Sequence, residues 1–309
     1  MTNCIISSSR KIAKNPARAG RREISPRNLI PKELRLTSPR KTAKNPAVFA
    51  VAIDWIRKVC RTRIHNKESS KTRERSAMSS AMEILFKQAS KTFAGRRGVG
   101  YQLCQKNFEK LRSMMNEIRA EDAKIDKHVL RFVETQSAPM CVMDVYEDND
   151  ITIAIFLLKN GVTMPMHDHP GMHGLLKVIS GAVRINSYTV ETREGWLAQP
   201  REEIPAVKHP PVTVRDDDPA CVLTPEDRNF HEITCVEGPG VFLDILSPPY
   251  VIEPCIPDTC LRPCTYFREI SSENRTESDE TDTQVHLVGM TKPPDFYSRC
   301  IKYRGPTLR

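Results

Sequence analysis

Apolar positions follow a helical period over one part of the chain and an alternating period over another, and the change falls near Pro139. Ile84, Leu85, Ala89 and Phe93 recur at helical spacing behind Ser79 and Ser80, which can cap a first turn. Gly95–Gly100 then ends this helix as a flexible loop. Leu103, Phe108, Leu111, Met115 and Ile118 predict a second helix to about Glu121, its Met/Leu stripe turned to the core. Beyond Pro139 short alternating runs predict strands at Cys141–Tyr146, Ile151–Leu158, Leu175–Ile179, Val183–Val190 and Val212–Val214. Further strands are expected at Cys221–Leu223, Glu232–Val236, Val241–Leu246 and Gln284–Gly289. Ile151, Ile153, Ile155 and Leu157 share one face of their strand. Ser180–Ala182 reads as a tight turn, Arg215–Pro219 as another, and Glu237–Gly240 as a hairpin connection. Glu191–Ala206 reads as an exposed insertion, and polar, acidic Ser271–Asp282 as a mobile surface loop. Short strands at this spacing, punctuated by Gly and Pro, indicate a sandwich or a barrel.

Charge divides the chain differently. Met1–Ala77 carries 20 Lys and Arg against 5 Asp and Glu, whereas Met78–Arg309 carries 27 against 33. The formal net charge of +9 therefore belongs to the first segment. A basic patch on the folded part is not supported, which argues against nucleic-acid binding there. Within the first segment Arg10–Ala17 recurs as Arg40–Ala47 with no periodic apolar pattern, so no solenoid is indicated. The expected organisation is a basic, low-order extension over 1–77, a helical segment packing on the barrel over 78–135, and the barrel domain over 136–309. The extension suits a basic tail or a mitochondrial transit peptide. The longest apolar run, Val48–Ile56, is too short to cross a bilayer and includes Asp54. Ten scattered cysteines without a secretory apolar region point to a reduced intracellular setting, cytoplasmic unless the extension directs the chain to mitochondria or nucleus.

Chemistry concentrates in Gly161–Gly181, which holds three of the eight histidines. His167 and His169 are two apart, so on an extended strand both rings share a face and make half of a metal site. His231, at the start of a later strand after a polar turn, is the best candidate for the third ligand. His65, His128, His209 and His286 lack such a setting and read as structural or solvated. Cys255, Cys260 and Cys264 are spaced unlike any strong zinc pattern.

These residues bring out a family resemblance. His167–Gly174 (HDHPGMHG), Lys177-Val178 before Gly181, Phe242–Tyr250 (FLDILSPPY) and the Cys264/Tyr266 pair resemble the cupin thiol dioxygenases of the cysteamine dioxygenase and plant cysteine oxidase family, over roughly Ser80–Tyr303. The resemblance implies a mainly β, double-stranded β-helix (jelly-roll) barrel. It also implies one Fe(II) per chain on His167, His169 and His231, with no organic cofactor. Many cupins place a metal-binding glutamate a few residues after the His pair. Here that place falls at His173-Gly174, with no carboxylate, as in the thiol dioxygenases. Three neutral imidazoles would leave a ferrous ion its full charge and half of its coordination sphere open to substrate and dioxygen.

The same resemblance gives roles to other positions. Asp244, acidic within an apolar strand, is expected inside the barrel, orienting an amine or water. Tyr250 could offer its hydroxyl to substrate or oxygen, or simply pack. His173 could donate from behind the ligands, or serve the structure. Cys264 and Tyr266, two apart on a strand, could join through a thioether. The implied activity is dioxygenation of the thiol of cysteamine, or of a protein N-terminal cysteine, to a sulfinate, with oxygen sensing in the latter case. Its partners would be small thiols or Cys-initiated chains and O2, acting on a monomer. Free cysteine is less favoured, because nothing fixes Arg184 inside to hold a second carboxylate. A non-catalytic metal- or ligand-binding cupin is the alternative from another class.

Overall fold

The computed structural model describes residues 79–96, 101–191, 202–251, 262–270 and 283–309. These all fall within one compact unit, Pro46–Arg309. The expectations for Met1–Ala77, Ser271–Asp282, Cys255, Cys260 and most of Gly95–Gly100 lie outside the described residues.

Three helices lead into the sheet: α1 (Ala81–Phe93), α2 (Gln105–Asn116) and α3 (Lys127–Thr135). Ser80 caps α1 in a capping box. Its Oγ accepts from Glu83 N at 3.2 Å, and Ser80 N donates to Glu83 Oε2 at 2.7 Å. The buried face of α1 is Met82, Leu85, Phe86, Ala89 and Phe93; Ile84, expected on that face, is exposed. α3 has no counterpart in the sequence reading. It spans only two and a half turns, with Asp126 as its cap, accepting from His128 N and Val129 N at 2.9 Å each. Among the described residues no helix is long and apolar enough to cross a membrane.

Eleven strands follow: β1 (Met140–Glu147), β2 (Thr152–Leu158), β3 (Thr163–Asp168), β4 (His173–Thr189), β5 (Glu203–Lys208), β6 (Val212–Arg215), β7 (Cys221–Leu223), β8 (Phe230–Ser247), β9 (Tyr266–Ile270), β10 (Thr283–Met290) and β11 (Ser298–Cys300). Among the described residues they form one sheet in the order β11-β1-β2-β8-β3-β9-β10-β5-β4-β6, with β7 on β4. β4 also pairs with β8, which curls the sheet back on itself. This is the expected cupin double-stranded β-helix.

Its frame is the antiparallel pair β4 and β8, 17 and 18 residues long. Here the sequence reading needs correcting. Ser180–Ala182 is no chain reversal, and Glu237–Gly240 is no hairpin connection. Both are irregular places inside continuous strands, facing each other: Ser180 pairs with Val241 and Ala182 with Glu237, with register shifts between. Glycine and proline there bend two strands together at one corner. Residues Glu203–Ala206, expected within an insertion, belong to β5, which pairs with β10 and β4.

Alternation along the strands separates two apolar layers. Leu175, Ile179, Leu243 and Ile245 turn outward, with Ile153 and Ile155, onto Leu85, Phe93, Leu111 and Met115 of the helices. Leu176, Val178, Phe242 and Ile233 turn inward, and Phe156 stacks on Phe242 with centroids 5.3 Å apart. Each fully buried Leu, Ile or Phe contributes roughly 1.5–3 kcal/mol, so the helices are held to the barrel by burial. Lys177 has no exposed surface; its Nζ donates to the carbonyls of Asp216 and Asp218 at 2.5 and 2.7 Å. That motif lysine is therefore a tie to the Arg215–Pro219 turn.

Gly181 has φ +73°, and a Cβ there would collide with the Glu237 carbonyl oxygen and lie 2.8 Å from that of Pro239. Gly161, at φ +75°, has open space around it. Gly181→Ala is expected to lower stability by about 3 kcal/mol, combining left-handed strain with overpacking, and Gly161→Ala by about 1 kcal/mol. Urea midpoints of the two variants check this; equal losses would mean that the corner is not tightly packed.

Candidate metal centre

Strand pairing carries the three histidines to one point. His167 lies near the end of β3 and pairs with His231, the second residue of β8. A register shift between Met164 and His167 sets that pairing. His169 follows one residue past β3, where its N–H donates to the Asn229 carbonyl at 2.9 Å. Asn229 is itself buried; its amide accepts from Val190 N at 2.9 Å and donates to the carbonyls of Val190 and Pro225. The turn before His231 and the segment bearing His169 are thus fastened together.

Ring centroids of the three histidines are 4.7–4.9 Å apart. One ligand nitrogen from each lies within 4.8 Å of the others, and among the described residues no carboxylate or thiol joins the group. Nε2 of His169 and Nε2 of His231 are 3.1 Å apart. Two nitrogens at right angles, each ~2.1 Å from a divalent first-row metal, would be separated by ~3.0 Å. On His167 and His169 the other ring nitrogen meets a partner. His167 Nδ1 lies 2.9 Å from the Pro165 carbonyl, so it carries the proton and leaves Nε2 bare. His169 Nδ1 lies 3.0 Å from the Tyr250 hydroxyl, which donates to the Asp168 carbonyl at 2.6 Å. Protonated on Nδ1, His169 also presents a bare Nε2.

Burial keeps these rings uncharged. His167 is pulled down to about 4 by desolvation. His169 and His231 fall well below the usual histidine range by desolvation, with repulsion from their neighbours adding to it. Three neutral, desolvated donors, two of them with fixed tautomers, fit a divalent metal ion.

The rings open onto a cavity of about 200 Å³. Asp244 lines it from β8, buried, its carboxyl pushed up to about 7 by desolvation. Tyr250 lines it too, but its hydroxyl serves His169 and Asp168 before any substrate. Cys264 and Tyr266 both line the cavity, although Cys264 precedes β9 and only Tyr266 lies in it. They are held by Asp168, whose Oδ1 accepts from Thr265 N at 2.7 Å and whose N–H donates to the Thr265 carbonyl at 3.1 Å.

His173 is elsewhere. Its Nδ1 lies 3.4 Å from Arg96 Nη2 and its ring meets Phe108 edge-on, at the seam between helices and barrel. It sits on the outward face of β4, so it supports no ligand. Arg184 is exposed and does not line the cavity. The lysine that does is Lys292, just after β10. Sequence reasoning missed it, because nothing in the Thr291–Pro294 loop marks a site.

The sequence model of the PCO_ADO family matches residues 114–308. A Homo sapiens protein named 2-aminoethanethiol dioxygenase is 34% identical over 226 residues, 65% of this chain and 81% of that protein. Plant cysteine oxidase 2 of Arabidopsis thaliana is 25% identical over 262 residues, 80% of this chain and 90% of that protein. A solved RmlC-like cupin from Shewanella frigidimarina is 15% identical, with a TM-score of 0.27, over 38% of this chain and 82% of that one.

Two outcomes follow from the geometry. Tyr250→Phe removes the hydroxyl that fixes the His169 tautomer, and metal affinity should fall about tenfold, read by competition with a coloured chelator; unchanged affinity would leave Tyr250 as packing only. Asp244 has a folded value near 7 against an ordinary 3.8, so the metal-free fold holds extra protons between these and loses stability as pH rises through about 7. Asp244→Asn should therefore stabilise the metal-free protein by roughly 2–4 kcal/mol at pH 8, and progressively less towards pH 4. Urea titrations at the two pH values decide; an equal gain at both would place the carboxyl in water.

Proposed function

The chain belongs to the PCO_ADO family and is a thiol dioxygenase, and from that premise we propose that it uses Fe(II) and O2 to oxidise the thiol of a 2-aminoethanethiol unit to a sulfinate. Free cysteamine carries that unit, and so does the exposed N-terminal cysteine of a protein. The balance is R–SH + O2 → R–SO2H. Sulfur gives up four electrons, O2 accepts them, and both oxygen atoms end on sulfur, so no reductant is needed. The observation that carries the reading is the set of three buried, neutral imidazoles with no carboxylate among them, opening on a cavity that holds Asp244.

His167, His169 and His231 would hold the ion, and the ion would supply a Lewis-acidic, redox-active centre at which thiol and O2 meet. The rest falls to the side chains. Tyr250 and Pro165 orient two of the rings. Asp244, poised near 7, is placed to pair with the substrate's ammonium or take a proton from it. The apolar lining, including Phe242, Ile233 and Leu246, sheds water around the reacting sulfur. Cys264 and Tyr266 both face this space, which is compatible with a thioether between Sγ and the ring, formed with loss of two hydrogen atoms to O2. Where the substrate is an N-terminal cysteine, turnover would report O2 and mark the substrate for degradation.

Iron-loaded protein given cysteamine, a Cys-initiated peptide or free cysteine should consume O2 and form sulfinate with one or both of the first two. Inertness toward all three, at confirmed iron occupancy, would end the reading.

A further inference from the structure

Besides Asp244, the charged groups lining the cavity are Asp144, Glu147 and Lys292, and the chemistry above uses none of these three. Lys292 lines the same cavity as the three imidazoles. It is half-buried, and its Nζ lies 5.9 Å from the centroid of the Phe296 ring. Among the described residues no carboxylate forms an ion pair with it. Burial draws its pKa down, and among the described residues the Cys264 sulfur acts against this. Cys264 in turn is hydrogen-bonded to Tyr250, whose hydroxyl is 3.0 Å from His169 Nδ1. The ammonium therefore stands on the side of the cavity that Cys264 and Phe296 line. A carboxyl, Asp244, also lines the cavity, from β8.

An ammonium has three donors and no acceptor. Half-desolvated and without a carboxylate partner, it gains from any oxygen brought to it. A substrate anchored by its thiol and amine has one group left to aim, the substituent on the carbon bearing the amine. In cysteamine that substituent is hydrogen. In a Cys-initiated chain it is an amide carbonyl, and in free cysteine a carboxylate.

We propose that Lys292 is a specificity-determining residue whose ammonium donates to the oxygen carried by that carbon, favouring substrates with a carbonyl or carboxylate there over cysteamine. This rests on the proposed 2-aminoethanethiol chemistry. It adds to it a means of telling the unit within a chain from the same unit alone.

The test compares wild type, Lys292→Met and Lys292→Arg, each iron-loaded to confirmed occupancy. Substrates are cysteamine, free cysteine and a Cys-initiated pentapeptide amidated at its C-terminus, so that its only α-carbon oxygen is an amide carbonyl. A charge-assisted hydrogen bond predicts that the ratio of kcat/KM for the peptide to that for cysteamine falls about tenfold in Lys292→Met, through KM, and largely returns in Lys292→Arg. Calorimetry under nitrogen should show the peptide's Kd raised about tenfold in Lys292→Met. A loss confined to free cysteine assigns the carboxylate as the oxygen held, and a loss confined to the peptide assigns the amide carbonyl. Ratios to cysteamine unchanged for both the peptide and free cysteine overturn the proposal. So does an equal loss on all three substrates, which would mark a lysine that only supports the wall. Wild-type protein inert toward every substrate would instead bring down the thiol-oxidation reading beneath it.

Discussion

Everything else in this fold serves one requirement: three imidazoles must converge while remaining uncharged. Convergence alone is easily undone. Protonated rings would repel one another and offer no lone pair, and solvated rings would rotate. Burial removes the first hazard by making the cationic form costly, as the lowered values of all three rings show. Fixed partners for Nδ1 remove the second, at Pro165 for His167 and at Tyr250 for His169. Both depend on register. One residue of slip between β3 and β8 would turn His231 to the opposite face and leave two rings without a third.

That register depends in turn on β4. β3 is six residues long and could not hold β8 by itself. β4 runs beside β8 from His173 to Tyr188, spanning both the strand half that carries His231 and the half that carries Asp244. The shared corner at Gly181 lets one unbroken pair bend around the cavity, so both halves of β8 contribute side chains to it. The helices complete the arrangement from outside. They cover the outward residues Leu175, Ile179, Leu243 and Ile245, which frees the inward positions to be polar where chemistry needs it. Arg96, just past α1, donates to the Gly171 carbonyl at 3.0 Å, so the helical layer also touches the turn after His169.

Much of this was legible in the sequence, for identifiable reasons. His167 and His169 could be paired by strand periodicity, and Ser80 by the chemistry of caps, since both are local rules. Asp244 was turned inward only by the family resemblance, because an acidic residue alternating with apolar Leu243 and Ile245 can equally face solvent. Ser180–Ala182 and Glu237–Gly240 were misread because glycine and proline announce a bend without saying whether the chain reverses. Only the pairing of β4 with the distant β8 decides that. The third helix escaped because nine residues give too little periodicity to detect. His173 looked like part of the ligand motif, but odd positions in the first half of β4, such as Leu175 and Ile179, face the helices, a fact that requires knowing which face of β4 is outside. Lys292 and the true partners of Tyr250 belong to contacts between distant segments, and no local pattern encodes them.

The cavity's charge balance ties ligand choice to substrate choice. A metal site built with a carboxylate carries part of its neutralising charge permanently. This one uses three neutral rings, so compensating charge has to come from outside the ligand set, from a substrate or from acids lining the cavity such as the buried Asp244. A buried carboxyl is costly when ionised and unaccompanied, which is why it sits near 7 without a metal or an ammonium beside it. A substrate that supplies both a thiolate and an ammonium meets both needs, the first at the histidines and the second at Asp244. A molecule with a thiol and no amine would leave the carboxyl to be protonated, and one with an amine and no thiol would leave the site's cation uncompensated. On the proposed reading, the pairing of uncharged ligands with a buried acid across the same small space would itself select for aminothiols through desolvation, before any residue outside the cavity takes part.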